Sequence, residues 1–237
     1  MKIESALIIA APEAEPLVKA WRERFDSSAA TGVPAHITIL YPFMPPGEIT
    51  SVVLAELREF FAQFAAFDFA LTELQRFPTV LYLSPLPVEP FKDLISAVVE
   101  RYPAYPPYGG AFSEVIPHLT IADVDQPEKL DDIEREFLQQ HGAQLPVKAC
   151  VHEVLLLENS SGRWETRQVF GLTGKSAGPG NSLDQPALQP GWIRSNAPGA
   201  SSTRSGSSRL ANPGRKNGAA VMGNRRPHPR ERQARFR

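Results

Sequence analysis

The chain repeats itself, and the repeat limits what it can fold into. Residues 74 apart match: Ser5 answers Thr79, Leu7 answers Leu81, and Glu15-Pro16 answers Glu89-Pro90. Each copy opens on an apolar run (6–10 and 79–83) that reads as a strand. A helix-type segment follows in each, over 14–25 with Leu17, Val18, Trp21 and Phe25 at helical spacing, and over 88–102. Both copies then reach one pattern, His36-Ile37-Thr38-Ile39-Leu40 and His118-Leu119-Thr120-Ile121-Ala122. These two histidines lie 118 − 36 = 82 apart, and the excess of eight over 74 equals the length of 103–110, which reads as a loop insertion. Beyond them come a helix-type segment over 49–64 and its counterpart, in which Arg135-Glu136-Phe137 answers Arg58-Glu59-Phe60. Strand-type stretches over 67–71 and 147–157 close the copies, and a last strand is predicted over 164–172. Residues 3–74 and 77–157 therefore read as two β-α-β-α-β units. Two copies with so long a period do not make a solenoid, so the expectation is one α+β domain of two pseudo-symmetric lobes, with the two His strands lining one cleft.

Charge and composition divide the chain at one point. The 237 residues carry 25 Lys/Arg and 26 Asp/Glu. Eleven of the basic and two of the acidic residues follow Lys175, giving +9 there and −10 over residues 1–175. From Ser176 onward Ser, Gly, Pro, Asn and Arg dominate. Such a segment buries too little apolar surface to offset its ordering entropy. The expected organisation is a folded domain over 1–175 and a disordered basic tail over 176–237, with weak RNA contact by the tail as its functional reading. The single cysteine, Cys150, excludes an internal disulfide and a cysteine-rich metal site, and its apolar neighbours place it as a small core residue. No stretch approaches the ~20 apolar residues of a membrane span, and the start, Met1-Lys2-Ile3-Glu4, lacks a basic n-region. A cytoplasmic setting, no membrane partner and a monomeric state are expected.

The repeated pattern carries chemistry because side chains alternate faces along a strand. His36 and Thr38 share one face while Ile37 and Ile39 share the other, and His118 and Thr120 stand likewise against Leu119 and Ile121. A single strand histidine is ordinarily a hydrogen-bonded structural residue. Two at equivalent points of a duplicated unit point to function, because packing alone would favour a third aliphatic side chain. Two imidazoles across a cleft suit acid–base chemistry near neutrality. Two hydroxyls from opposite sides suit a tetrahedral anion with several oxygens, namely a phosphodiester. No third ligand accompanies either histidine, so neither metal nor cofactor is expected. Phosphate-binding Gly-rich loops and a Gly-x-Ser-x-Gly elbow are absent. His141 reads as a helix-end residue and His152 as a solvent-facing strand residue.

The paired segments, with the context Pro34-Ala35-His36-Ile37-Thr38-Ile39-Leu40-Tyr41-Pro42-Phe43, resemble the His-x-Thr/Ser signatures of the two-histidine (2H) phosphoesterase superfamily and its 2′-5′ RNA ligase branch. The resemblance covers residues 1–175. It implies a bilobed fold with antiparallel sheets facing a central cleft. It also implies hydrolysis of 2′,3′-cyclic phosphates or 2′-5′-linked nucleotide or RNA ends, or reversible 2′-5′ joining. Carried over, His36 and His118 are the catalytic pair and Thr38 and Thr120 hold the phosphate. Aromatic residues stacking on a base are expected at the cleft rim, with Tyr41, Phe43, Tyr82, Tyr108, Phe112 and Trp164 as candidates and Tyr41 and Tyr108 placed among the substrate-binding residues. Arg76 and Arg167 are the candidate phosphate-reaching cations. The acidic balance of the domain favours a small ligand over long RNA. The other function class is a nucleotide- or RNA-binding module that keeps the cleft and lacks turnover.

Overall fold

The computed structural model describes residues 2–112 and 114–175, so the expected tail over 176–237 lies outside the described residues. Two four-stranded antiparallel sheets form the frame. The first contains β1 (Ser5–Ala10), β2 (His36–Leu40), β7 (Glu153–Glu158) and β8 (Glu165–Gly171), in the order β2-β1-β7-β8. The second contains β3 (Phe67–Arg76), β4 (Val80–Leu86), β5 (Leu119–Asp123) and β6 (Val147–Val151), in the order β5-β4-β3-β6. The helices are α1 (Glu15–Phe25), α2 (Ser27–Ala30), α3 (Ser51–Phe61), α4 (Glu89–Arg101) and α5 (Leu130–His141).

Equivalent elements form for equivalent reasons. Pro16 and Pro90 sit in the first turns of α1 and α4, where a missing N–H leaves no helical bond unmade. α3 starts at Thr50, whose hydroxyl accepts from the Val53 amide at 3.3 Å. The two His strands hold equivalent places, each at the end of its sheet's strand order, and β2 and β5 approach each other there. α1 packs against β5 and α4 against β2, so each half supports the histidine strand of the other. One apolar cluster runs through both halves and includes Ile37, Ile39, Leu119 and Ile121.

The halves exchange their third strands. β3 belongs to the first repeat, yet it forms a hairpin with β4 of the second, closed by mutual backbone bonds between Phe77 and Val80. The stretch 147–157, expected as one strand, breaks at His152. Its first part, β6, pairs with β3, and its second part, β7, pairs with β1. The repeat boundary in the sequence is therefore not the boundary between sheets. α2 fills part of the connection between α1 and β2, nucleated by the Asp26 carboxylate accepting from the Ser28 amide at 2.9 Å. Cys150 is half-buried rather than in the core, because β6 ends its sheet's strand order.

Matching bulges lie beside the two motifs. Leu7 faces Leu40 while Ile8 faces Thr38, so Ile39 is the extra residue. Leu81 faces Ala122 while Tyr82 faces Thr120, so Ile121 is the extra residue. A bulge places two successive side chains on one side. Ile39 and Leu40 both enter the core, as do Ile121 and Ala122. Slipping β2 by one residue would turn Ile37 and Ile39, 0% and 1% exposed, away from that core. Each such side chain contributes about 1.5–3 kcal/mol, so aliphatic burial fixes the face on which His36 and Thr38 stand.

Candidate active site

Both histidines stand at the mouths of their strands, His36 as the first residue of β2 and His118 immediately before β5. They are held alike. His36 Nδ1 lies 2.8 Å from the carbonyl oxygen of Pro34, and His118 Nδ1 lies 2.7 Å from that of Ile116. A carbonyl only accepts, so each Nδ1 carries the proton and donates it. In the neutral ring Nε2 then holds a lone pair. The same two-residue loop-back in each half thus sets the same tautomer and orients the same nitrogen.

Their electrostatic surroundings differ. Burial, then the Arg22 guanidinium, drives the pKa of His36 from its ordinary 6.5 down to about 3, and a proton on His118 opposes one on His36 as well. The Pro34 carbonyl and Asp26 act in the opposite sense with smaller effect. His118 is also lowered by burial, with the Ile116 carbonyl acting against it. Arg22 is 2% exposed at the end of α1, with Nε donating to Asp26 at 3.1 Å and a terminal nitrogen donating to Ser28 Oγ at 3.1 Å. The sequence reading missed this buried pair, although its signal, Arg and Asp four apart at a helix end, was present.

The hydroxyl partners follow the strand period. Thr38 and Thr120 are half-buried, and burial raises the phenol pKa of Tyr108, from the 103–110 insertion, to about 12, with Thr38 acting against that rise. On the other side His118 meets two rings. Phe77 and Tyr82 stack with centroids 4.3 Å apart, and His118 lies 5.1 Å from Phe77 and 5.2 Å from Tyr82. Phe77 had no sequence signal, since it lies in a hairpin turn outside both motifs.

Several expected rim residues are committed elsewhere. Tyr41 is 5% exposed and donates its hydroxyl to Glu4 at 2.7 Å, so it forms a wall and offers no free ring face. Burial, then that bond, raises its pKa. Trp164 is buried beside it, with centroids 6.1 Å apart. Phe43 is buried in the core, and Phe112 packs edge-on against Tyr108 at 5.3 Å. Neither candidate arginine is available to a phosphate: Arg76 is paired with Asp131 and Glu134, and Arg167 binds Glu158 and the carbonyls of Pro46 and Ile49. His141 ends α5 against Phe137, and His152 marks the break between β6 and β7. Among the described residues no three His, Cys, Asp or Glu side chains gather as a metal site, and no helix is long and apolar enough to cross a membrane.

Two equivalent strands, each offering a tethered imidazole and a threonine hydroxyl at the meeting edges of two antiparallel sheets, define a duplicated two-histidine fold. The model of the 2′-5′ RNA ligase superfamily matches residues 10–163, more than half of the chain, and the protein belongs to that superfamily, within the 2H phosphoesterases. Among solved structures it is similar to E. coli LigT complexed with 3′-AMP, at 15% identity and a TM-score of 0.47, covering 73% of this chain and 99% of that one. It is also similar to TT0787 of Thermus thermophilus, at 16% identity and a TM-score of 0.47, covering 73% and 100% respectively. No curated protein matches the chain in sequence.

Proposed function

We propose that the protein is a metal-independent phosphodiesterase that opens 2′,3′-cyclic phosphates or cleaves 2′-5′-linked nucleotide or RNA ends, with reversible 2′-5′ joining when an RNA hydroxyl replaces water as the attacking group. The observation that carries this reading is the matched tethering of His36 and His118 through Nδ1, which puts the lone pair of each neutral ring on Nε2. Superfamily membership supports the substrate class.

In hydrolysis a water oxygen forms the new P–O bond and one ester P–O bond breaks. One imidazole takes the proton of the water and the other gives a proton to the departing ester oxygen. His36 is assigned as the base, because burial and Arg22 keep it neutral. His118, lowered by burial without the Arg22 contribution, is assigned as the acid. Thr38 and Thr120 donate to the non-bridging oxygens, where a hydrogen bond to charge is worth about 1.5–3 kcal/mol. Bound phosphate anion favours both imidazolium forms. The limbs of the kcat profile should therefore lie at higher pH than those of kcat/KM.

The test is turnover of a panel of 2′,3′-cyclic nucleotides and 2′-5′ dinucleotides in EDTA, with product identification. A 2′- or 3′-phosphate product in chelator is expected. Binding without turnover would assign the cleft to the nucleotide- or RNA-binding module. Activity lost in EDTA and restored by zinc or manganese would overturn the metal-free chemistry.

A further inference from the structure

The two histidines share a tether but not their degree of enclosure. His36 is buried, whereas His118 is half-buried and its tether ends on the exposed Ile116, in the irregular run that leads into β5. One hydrogen bond restrains Nδ1 and leaves the ring free to turn about it. Two aromatic rings close that freedom. Phe77 meets the imidazole at 85° with centroids 5.1 Å apart, and Tyr82 lies 5.2 Å from it at 59°. The two rings stack on each other, with centroids 4.3 Å apart and planes at 28°. Their placement is built into the hairpin of β3 and β4. Mutual backbone bonds between Phe77 and Val80 leave Pro78 and Thr79 as its two-residue loop. The Thr79 carbonyl accepts from the Val124 amide at 2.9 Å, which ties the turn to the chain just beyond β5. Arg76 ties the neighbouring residue to α5 through Asp131 and Glu134. Tyr82 is buried and donates its hydroxyl to Gln75 Oε1 at 3.1 Å across the same hairpin. The repeat offset of 74 sets Ile3 and Ile8 opposite Phe77 and Tyr82, so at these positions the duplication carries rings in one half only.

We propose that Phe77 is a positioning residue for His118: with Tyr82 stacked on it, its ring fixes the plane of the imidazole and so the direction in which Nε2 hands a proton to the departing ester oxygen. The assignment rests on the phosphodiesterase reading above. A proton donor has to be held within about 0.5 Å and 10–20° of its productive placement by neighbours whose own rotamers are locked. Phe77 answers that need, because the hairpin closes its backbone and Tyr82 packs against its ring. It carries no group that exchanges a proton, so it acts only through the imidazole. The Nδ1 tether sets the tautomer of His118, and the ring contact sets its aim. The hairpin that joins the two repeats thereby acquires a role in the chemistry of the second motif.

The experiment compares Phe77→Leu, Phe77→Met and Phe77→Tyr through kcat and KM on a 2′,3′-cyclic nucleotide, with the imidazole proton resonances as a second readout. Leucine and methionine keep apolar bulk and remove the flat ring, and Phe77→Met serves where Phe77→Leu fails to fold. Tyrosine keeps the ring and adds a hydroxyl at a half-buried position. Roughly a ten- to hundredfold loss in kcat with little change in KM is expected of the aliphatic variants, the scale of a displaced reacting group. Phe77→Tyr should recover most of that loss. The ring-current displacement of the His118 ring protons should shrink in the aliphatic variants and persist in Phe77→Tyr. A raised KM at unchanged kcat would overturn the assignment and mark Phe77 as a substrate contact. Wild-type kcat in the aliphatic variants, or His118 resonances that they leave unaltered, would overturn it while leaving the phosphodiesterase reading intact. So would a Phe77→Tyr protein as impaired as Phe77→Leu. A wild-type protein inactive on every cyclic and 2′-5′ substrate would overturn the phosphodiesterase reading, and this assignment with it.

Discussion

His36 and His118 should dominate any substitution series. A positioned general acid or base contributes about 10²–10⁴-fold, whereas a hydrogen bond to a charged group contributes roughly ten- to 150-fold. His36→Ala and His118→Ala should each reduce kcat more than Thr38→Val or Thr120→Val, and the double histidine variant should lose less than the sum of the single effects. Threonine variants more damaging than histidine variants would reverse that division of labour. The same histidines should mark stability. The folded pKa of His36 is depressed to about 3 from 6.5, so across that window the unfolded chain holds a proton that the folded chain lacks. Stability therefore rises with pH through the window and is lost as pH falls through it, by at most about 1.4 kcal/mol per pH unit for this group. His118 contributes in the same direction. Melting temperature against pH should fall less steeply on the acid side in His36→Gln than in the wild type. Parallel curves would mean that His36 titrates normally.

At the scale of elements, the junction of α1 and α2 couples folding to the site. Asp26 both accepts from the Ser28 amide of α2 and pairs with Arg22 at 3.0 Å, with both side chains under a tenth exposed. Asp26→Ala leaves a buried guanidinium without its counter-charge and should cost about 3–5 kcal/mol in chemical denaturation. Arg22→Met should cost less and should move the acid limb of kcat/KM upward, since it removes a charge that opposes protonation of His36. An unmoved limb would show that burial alone sets the His36 pKa. These elements also show what the sequence made legible. Period-two and period-3.6 patterns placed β1, α1, β2, α4 and β5, and the repeat offset of 74, widened to 82 at the His strands by the insertion over 103–110, matched them across the halves. The patterns were silent on the break at His152 and on the exchange of third strands, because strand pairing depends on partners distant in sequence. They were silent on the bulges at Ile39 and Ile121 for the same reason. Tyr41 illustrates the limit at the site: its neighbours in sequence suggested a rim aromatic, while Glu4, 37 residues away, holds its hydroxyl in the interior.

At the scale of the whole molecule, the core of the described residues lies within the acidic segment. Residues 1–175 carry −10, and the last described strand ends at Gly171. A chain stopped after Lys175 should keep its melting temperature and its turnover of small substrates, and a large drop in melting temperature would mean that 176–237 packs on the domain. Within 1–175 the duplicated frame places two histidines with one shared tether and two different electrostatic surroundings, and on the proposed mechanism that difference separates base from acid. The pH dependence of kcat/KM for a 2′,3′-cyclic nucleotide, measured in EDTA for the wild type and each single histidine variant, tests this most directly. The expected profile is a bell with its optimum on the acid side of the 6.5 at which an unperturbed imidazole titrates, because both free-enzyme values are lowered. Each variant should lose one limb together with most of the rate. A flat profile between about pH 5 and 9, a range that spans the ordinary imidazole value, or a histidine variant as active as the wild type, would contradict it.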